Sequence, residues 1–260
     1  MADVFVIFGS SSDEAVYSPL LEKLKQTGIS CEFKVLSAHK TPKELDEEIA
    51  YAHESMFIAG AGLAAALPGV VAAQTVKPVI GLPCDGAFNG LDSFLSIAQM
   101  PPDVPVIAVG VAKIDEAVRL CSSYLHGLNK IVLVEKKSGD EKKYFAKCKA
   151  FMEENNIPFQ LAKSANRVDY GAVFIEFIKL GKKIPHNNNI VLHVPVKDGS
   201  KKSDALKMFD QMQSAYAISL NGYKNAAIAA LELVNLRKTH DTVLGGLRRK
   251  ASQKVMDSNK

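Results

Sequence analysis

The sequence predicts an α/β protein built on a parallel sheet and duplicated in tandem. Short β-rich apolar runs alternate with segments of helical period, which implies parallel strands joined by right-handed crossovers. Most predicted strands of the first half end at Gly, Ser or Pro, where a crossover begins, and residue pairs from that half recur at fixed offsets in the second.

Val4-Phe5-Val6-Ile7-Phe8 is a continuous apolar run that ends at Gly9-Ser10-Ser11-Ser12-Asp13. Val16, Leu20, Leu21 and Leu24 stand at helical spacing, and Gly28 closes that helix. Residues 31–36 read as the second strand. Pro42 cannot continue a strand ladder and favours a helix start, which predicts a helix over 42–54 with early acidic residues suited to its N-terminal dipole. Residues 56–59 form the third strand, which opens into the small-residue loop 60–69 and a helix to Thr75. Strands over 78–82 and 106–109, with a helix over 92–99 between them, complete the first half.

Asp13-Glu14 pairs with Asp140-Glu141, Tyr17 with Tyr144, and Ser37-Ala38-His39-Lys40 with Ser164-Ala165-Asn166-Arg167, all at an offset of 127 (140 − 13). Pro83 with Pro195, Asp92 with Asp204, Gln99-Met100 with Gln211-Met212 and Gly110 with Gly222 share an offset of 112 (195 − 83). The drop of 15 (127 − 112) assigns a missing segment to the 60–69 loop. The expected division is 1–127, a competent domain, and 128–260, a degenerate copy. A single long amphipathic helix over about 224–256 is expected as an addition without counterpart in the first half.

The 260 residues are 47% hydrophobic and 23% charged, enough apolar material for a sizeable core. Met1-Ala2-Asp3 leads directly into the first strand without a basic, then apolar, leader, so a cytoplasmic protein is expected. No apolar run reaches bilayer length, which argues against a membrane partner. Cys31, Cys84, Cys121 and Cys148 lie far apart, so no zinc knuckle or other metal site is expected, and they read as reduced thiols. The net charge is +4, with basic pairs such as Lys136-Lys137 and Lys182-Lys183 after Lys130. No tryptophan and no interleaved aromatic residues accompany them, which favours a solvated basic face over a nucleic-acid site.

Three loops carry the chemistry. Ser37-Ala38-His39-Lys40-Thr41-Pro42 puts an imidazole, the side chain that titrates near neutral pH, at the C-terminal edge of a strand beside a fixed cation. That pair suits acid/base work on an anionic substrate, although a solvated loop histidine would look the same. Gly9-Ser10-Ser11-Ser12-Asp13 combines a tight turn, hydroxyls and a helix N-terminus, the groups that bind phosphate. Asp13 either accepts from a ribose hydroxyl or caps its helix. Gly60-Ala61-Gly62 through Leu67-Pro68-Gly69 lets backbone approach a ligand, or else packs a helix closely on the sheet. All three loops open at one sheet edge, where a nucleotide-sized pocket belongs.

These loops, together with Asp92-Ser93 and Gln99-Met100-Pro101 in this order and spacing, resemble the catalytic subunit of the aminoimidazole ribonucleotide carboxylase and N5-carboxyaminoimidazole ribonucleotide mutase family of purine biosynthesis. The resemblance covers most of residues 3–125 and is fainter beyond, best in Asn225-Ala226-Ala227-Ile228-Ala229-Ala230-Leu231. It implies a flavodoxin-like three-layer αβα sandwich, a small-molecule ribonucleotide substrate and no metal or organic cofactor. It also implies a homo-oligomer: an octamer of single units, hence about four tandem chains. By position, His39 would be the proton shuttle. The substrate-binding set would be Gly9, Ser10, Ser12, Asp13, Ser37, Ala38, Lys40, Gly60, Ala61, Gly62 and Leu67, with Ser10, Ser12 and Asp13 at the ribose phosphate end.

The implied activity is the mutase, with direct carboxylation by carbon dioxide as the alternative. A nucleotide-binding or regulatory homologue without turnover is the rival from another class. Three departures bear on the choice. Lys40 stands where the bacterial mutase pattern has Arg, Ala66 stands where it has a histidine before Leu-Pro-Gly, and Asn166 replaces the histidine in the second copy. The second half is therefore expected to be silent on its own, with Arg167 its possible contribution to a shared pocket.

Overall fold

The computed structural model describes residues 2–199 and 201–259. The first half holds strands β1 (Val4–Phe8), β2 (Cys31–Val35), β3 (Met56–Ala61), β4 (Val79–Pro83) and β5 (Ile107–Ala108). Its helices are α1 (Glu14–Gln26), α2 (Pro42–Tyr51), α3 (Leu67–Gln74), α4 (Leu91–Ala98) and α5 (Ile114–Leu125). The second half holds β6 (Lys130–Val134), β7 (Gln160–Ala162), β8 (Ala172–Lys179), β9 (Ile190–Val196) and β10 (Tyr216–Ala217), with α6 (Gly139–Glu154), α7 (Asp204–Met212), α8 (Tyr223–Leu233) and α9 (Asp241–Asp257).

Among the described residues, all ten strands form one sheet, in the order β2-β1-β3-β4-β5-β10-β9-β8-β6-β7. The first five follow the 2-1-3-4-5 order of flavodoxin-like sheets, and β6 to β10 repeat it from the other end. Pairing is parallel throughout except at the centre, where β5 and β10 meet antiparallel through Ala108 and Ala217. β1 is buried along its whole length because both its faces are covered, which is why it reads as an unbroken apolar run. One large cluster packs α1, α5, α6, α8 and α9 on one face across both halves, including Leu20, Leu120, Cys148, Leu231 and Leu244. A second cluster packs α2, α3, α4 and α7 on the other, including Leu45, Val71, Phe94 and Met212.

The central junction is short, so other contacts reinforce it. The Val111 amide donates to Gln213 Oε1 at 3.1 Å, and the Tyr216 hydroxyl donates to the Glu116 carbonyl at 3.1 Å. Phe94 of α4 meets Phe209 of α7 edge-to-face, with ring centroids 5.7 Å apart. Gly110 leaves no room for a side chain, since a Cβ there would lie 2.2 Å from the Gln213 carbonyl oxygen.

Two expectations are corrected. The single helix over 224–256 is two helices. Asn235 breaks it by accepting from the His240 amide and donating to Asp241 Oδ1, both at 2.7 Å, while Lys238 takes a left-handed φ of 58°. α8 follows β10 as α5 follows β5, so only α9 lacks a counterpart. Its Arg248 donates to the Ala72 and Thr75 carbonyls at 2.8 and 2.9 Å, satisfying the C-terminal end of α3.

The missing residues are also distributed differently. By sheet register, Met56 corresponds to Val173, an offset of 117 (173 − 56), whereas Val79 corresponds to Val191 at 112 (191 − 79). The second strands correspond at 128 (Glu32 with Gln160, 160 − 32), so eleven residues are lost between the second and third strands, where α2 has no counterpart, and five between the third and fourth, where α3 has none, against one gained between the first and second. Extended loops 163–171 and 180–189 replace those helices. Ten residues can span about 33 Å, enough to return along a seven-residue strand without a helix.

The sheet also differs between the halves at one pair of positions. In the first half Ala59 pairs with Gly81, where a Cβ would strike Ile97 at 2.2 Å and Val106 at 2.8 Å. The corresponding pair in the second half is Glu176 and His193. His193 is 5% exposed, and burial pushes its imidazole down to about 4 against the opposing pull of Glu176. Between the ordinary 6.5 and the folded value of about 4, the unfolded chain holds more protons, so stability falls as pH falls. The expected loss across that window is up to about 3 kcal/mol. Denaturant titrations of wild type and His193→Gln at several pH values would show this slope in the wild type alone. Parallel slopes in the two proteins would contradict it.

Candidate active site

Each predicted loop leaves the C-terminal end of a first-half strand. After β1, the Gly9 amide donates to the Gly60 carbonyl at 3.0 Å, which ties the first loop to the end of β3. Ser11–Asp13 form one 3-10 turn, started by the Ser10 hydroxyl, which accepts from the Ser12 amide at 3.2 Å. The Ser10 and Ser12 hydroxyls lie 2.7 Å apart. Two hydroxyls are therefore gathered beside the N-terminus of α1, where its dipole favours an anion. Asp13 stands at the N-cap position, but its side chain makes no capping bond. It turns instead toward Gly62, where a Cβ would lie 3.5 Å from Asp13 Oδ1. Burial pushes the Asp13 carboxyl up from its ordinary value. Burial first, and the Asp13 charge second, push the neighbouring Cys84 thiol up, so this cysteine is not an activated nucleophile.

After β2, the Ser37–Thr41 segment is a closed hydrogen-bonded turn. The Ser37 amide donates to Thr41 Oγ1 at 2.8 Å, and the Thr41 amide returns to the Ser37 carbonyl at 2.9 Å. Ser37 Oγ accepts from the His39 and Lys40 amides, each at 3.3 Å. This fixes the backbone and leaves the His39 and Lys40 side chains exposed, before Pro42 opens α2. After β3, loop 62–66 carries Ala64 at a left-handed φ of 49° and leads into α3, with Pro68 in its first turn.

The three loops enclose a cavity of about 370 Å³. Gly9, Ser10, Ser12 and Asp13 line it from the first loop, Ser37, Ala38, His39 and Lys40 from the second, and Ala61 and Leu67 from the third. Gly60 and Gly62 do not line it. Gly60 is needed for packing, because a Cβ there would lie 2.2 Å from the Phe8 ring. Leu63 and Ala64 line the cavity and were missed, as was Ala66 as a lining residue; Leu63 is 78% exposed. The one signal for Leu63 is a large apolar residue set among glycine and alanine in a loop. Arg167 does not reach this cavity within one chain. The antiparallel junction sends the C-terminal ends of the second-half strands to the opposite sheet edge, and Arg167 lies exposed there after β7.

These features define a flavodoxin-like α/β protein with a polar pocket where the strand order reverses, between β1 and β3. Residues 3–143 match the family described as AIR carboxylase, and the chain belongs to that family. It is 43% identical over 122 residues to the N5-carboxyaminoimidazole ribonucleotide mutase of Methanocaldococcus jannaschii, a match covering 47% of this chain and 78% of that protein. A probable N5-carboxyaminoimidazole ribonucleotide mutase of Methanobrevibacter smithii is 32% identical over 265 aligned positions, covering 94% of this chain and 77% of the relative. A crystal structure of Treponema denticola PurE overlaps with a TM-score of 0.40 and 26% identity, over 59% of this chain and 90% of that one.

The Thr41 hydroxyl tests the rigidity of the histidine loop. Thr41→Val leaves the half-buried Ser37 amide without its acceptor. This is expected to cost about 1–2 kcal/mol, and to speed hydrogen exchange at the amides of Ser37, His39 and Lys40 selectively. Unchanged exchange at those three amides would mean that the turn is held by other contacts.

Proposed function

We propose that this chain is an N5-carboxyaminoimidazole ribonucleotide mutase, moving a carboxylate from the exocyclic nitrogen of the substrate to carbon 4 of its imidazole ring. The observation that carries this reading is the convergence of His39, Lys40, Ser10, Ser12 and Asp13 on one cavity in the half that matches the family. The volume of about 370 Å³ falls within the range of small-molecule pockets.

Ser10 and Ser12, beside the N-terminus of α1, hold the phosphate, and Asp13 accepts from ribose. Lys40 supplies positive charge near the migrating carboxylate. His39 acts twice. It first gives a proton to the exocyclic nitrogen as the nitrogen–carboxylate bond breaks. Carbon 4 then bonds to the released carbon dioxide, and the neutral imidazole takes the displaced carbon 4 proton, regenerating the starting acid. One imidazole serves both transfers, as acid and then as base, so the cycle needs no metal or organic cofactor.

The second half is read as a degenerate copy, with 1–127 as the competent unit and 128–260 as the partner retained for assembly. Its strands follow the same order, while Asn166 stands where the first half has His39. A fused pair of units suggests a tetramer standing in for eight single units, in the cytoplasm. Size-exclusion chromatography with light scattering tests that assembly.

Lys40 motivates the alternative of direct carboxylation. Aminoimidazole ribonucleotide with bicarbonate in one assay, and the N5-carboxylated substrate in another, separate the two: the mutase yields the carbon 4 carboxylate from the second alone. His39→Asn is expected to lower turnover by at least about 100-fold while leaving ligand binding largely intact. Binding without turnover in the wild type would instead mean a nucleotide-binding homologue.

A further inference from the structure

A second cavity, of about 240 Å³, lies where the 99–103 segment after α4 crosses the N-terminus of α8, and it shares no residue with the cavity around His39. α8 begins without a side-chain cap. Gly222 stands at the N-cap position, and the amides of Lys224 and Asn225, in the first turn, meet no acceptor among the described residues. Only glycine fits at 222, because a Cβ there would lie 2.2 Å from Ser219 Oγ. The Ser219 hydroxyl is thus held against the start of the helix, in the cavity wall. Ser219 is 5% exposed, and its hydroxyl has no hydrogen-bond partner among the described residues. A buried polar group without a partner is costly, and one in a cavity wall is satisfied by whatever fills that cavity. Two free amides, a hydroxyl donor and the positive end of a helix together make a cradle for an oxyanion.

The remaining polar groups select the rest of the ligand. Among the described residues, Asp103 is the one carboxylate in the lining, and Lys224 neutralises it at 3.5 Å. Lys254, from α9, has no carboxylate partner among the described residues and supplies a free cation at the same wall. Asn225 is 2% exposed. Its Nδ2 donates to the Pro101 carbonyl at 2.9 Å, which fixes the amide and leaves Oδ1 buried without a donor. An oxyanion cannot meet that acceptor, whereas a hydroxyl can. The ligand therefore carries an anion and free hydroxyls together. The cavity adjoins a groove of about 460 Å³ between α6, α8 and α9, with which it shares Tyr223, Lys224 and Lys254. That groove has room for a larger body attached to the sugar.

We infer that this cavity binds a sugar phosphate, free or as part of a nucleoside monophosphate. The phosphate sits on Ser219, Lys254 and the amides of Lys224 and Asn225, and a sugar hydroxyl donates to Asn225 Oδ1. The site is separate from the first-half cavity and does not depend on the activity assigned there.

Equilibrium dialysis of ribose 5-phosphate against the full chain carrying Ser10→Ala/Ser12→Ala, which suppresses any contribution of the first-half loop, tests this. Ser219→Ala and Lys254→Ala, each added to that background, are expected to weaken binding at least about tenfold. Lys254→Arg should retain it. Propyl phosphate, the same anion without hydroxyls, is expected to bind at least about tenfold more weakly than ribose 5-phosphate. Bound ribose 5-phosphate should also slow hydrogen exchange at the amides of Lys224 and Asn225. Absence of binding, equal binding in both alanine variants, equal affinity for propyl phosphate, or unchanged exchange at those two amides would each overturn the inference. Tighter binding of adenosine 5′-monophosphate would make the nucleotide the occupant, whereas equal binding would make it the free sugar phosphate. Because turnover is not measured, failure of the first-half assay leaves this test intact.

Discussion

The structure depends on one reversal of direction. Two parallel arrays with the same strand order meet through a single antiparallel pair, Ala108 with Ala217. Parallel strands carry their ligand-binding loops to the C-terminal edge, so the reversal puts the loop clusters of the two halves on opposite edges. The pocket among the first-half loops must then be assembled, within one chain, from its own half. That is why Arg167 cannot complete the histidine pocket of the same chain, although it follows a serine-alanine segment like the one before Lys40. So short a junction needs side-chain support, and Gln213, Tyr216 and the Phe94–Phe209 contact provide it.

The first-half pocket combines a rigid frame with exposed chemistry. Backbone bonds tie Gly9 to Gly60 and Ser37 to Thr41, so the loops are fixed before any ligand arrives. The imidazole and ammonium groups of His39 and Lys40 remain exposed, while the half-buried Asp13 gives up helix capping to face the pocket. A fixed backbone with an accessible imidazole suits the proton transfers proposed for His39.

In the second half the same strand order supports a different surface. The sheet positions held by Ala59 and Gly81 in the first half, where Gly81 makes room for Ile97 and Val106, carry larger side chains in the second. Glu176 and His193 fill them, with Lys136 compensating the carboxylate.

The sequence by itself determined the parallel α/β character and the three loops. Apolar runs, helical spacing and turn residues are local signals, and a strand's end fixes where its loop emerges. Ten of the predicted residues line the first cavity for that reason. Gly60 was legible as a special position, but only the Phe8 ring packed over it shows that packing accounts for it. The side-chain bonds of Asn235 split the C-terminal helix, and the absent helices α2 and α3 became visible only through sheet register. The antiparallel junction, and with it the separation of the two loop clusters, was decided by tertiary structure alone. A two-residue strand is too short to carry a periodic signal, and its partner lies more than a hundred residues away in the chain.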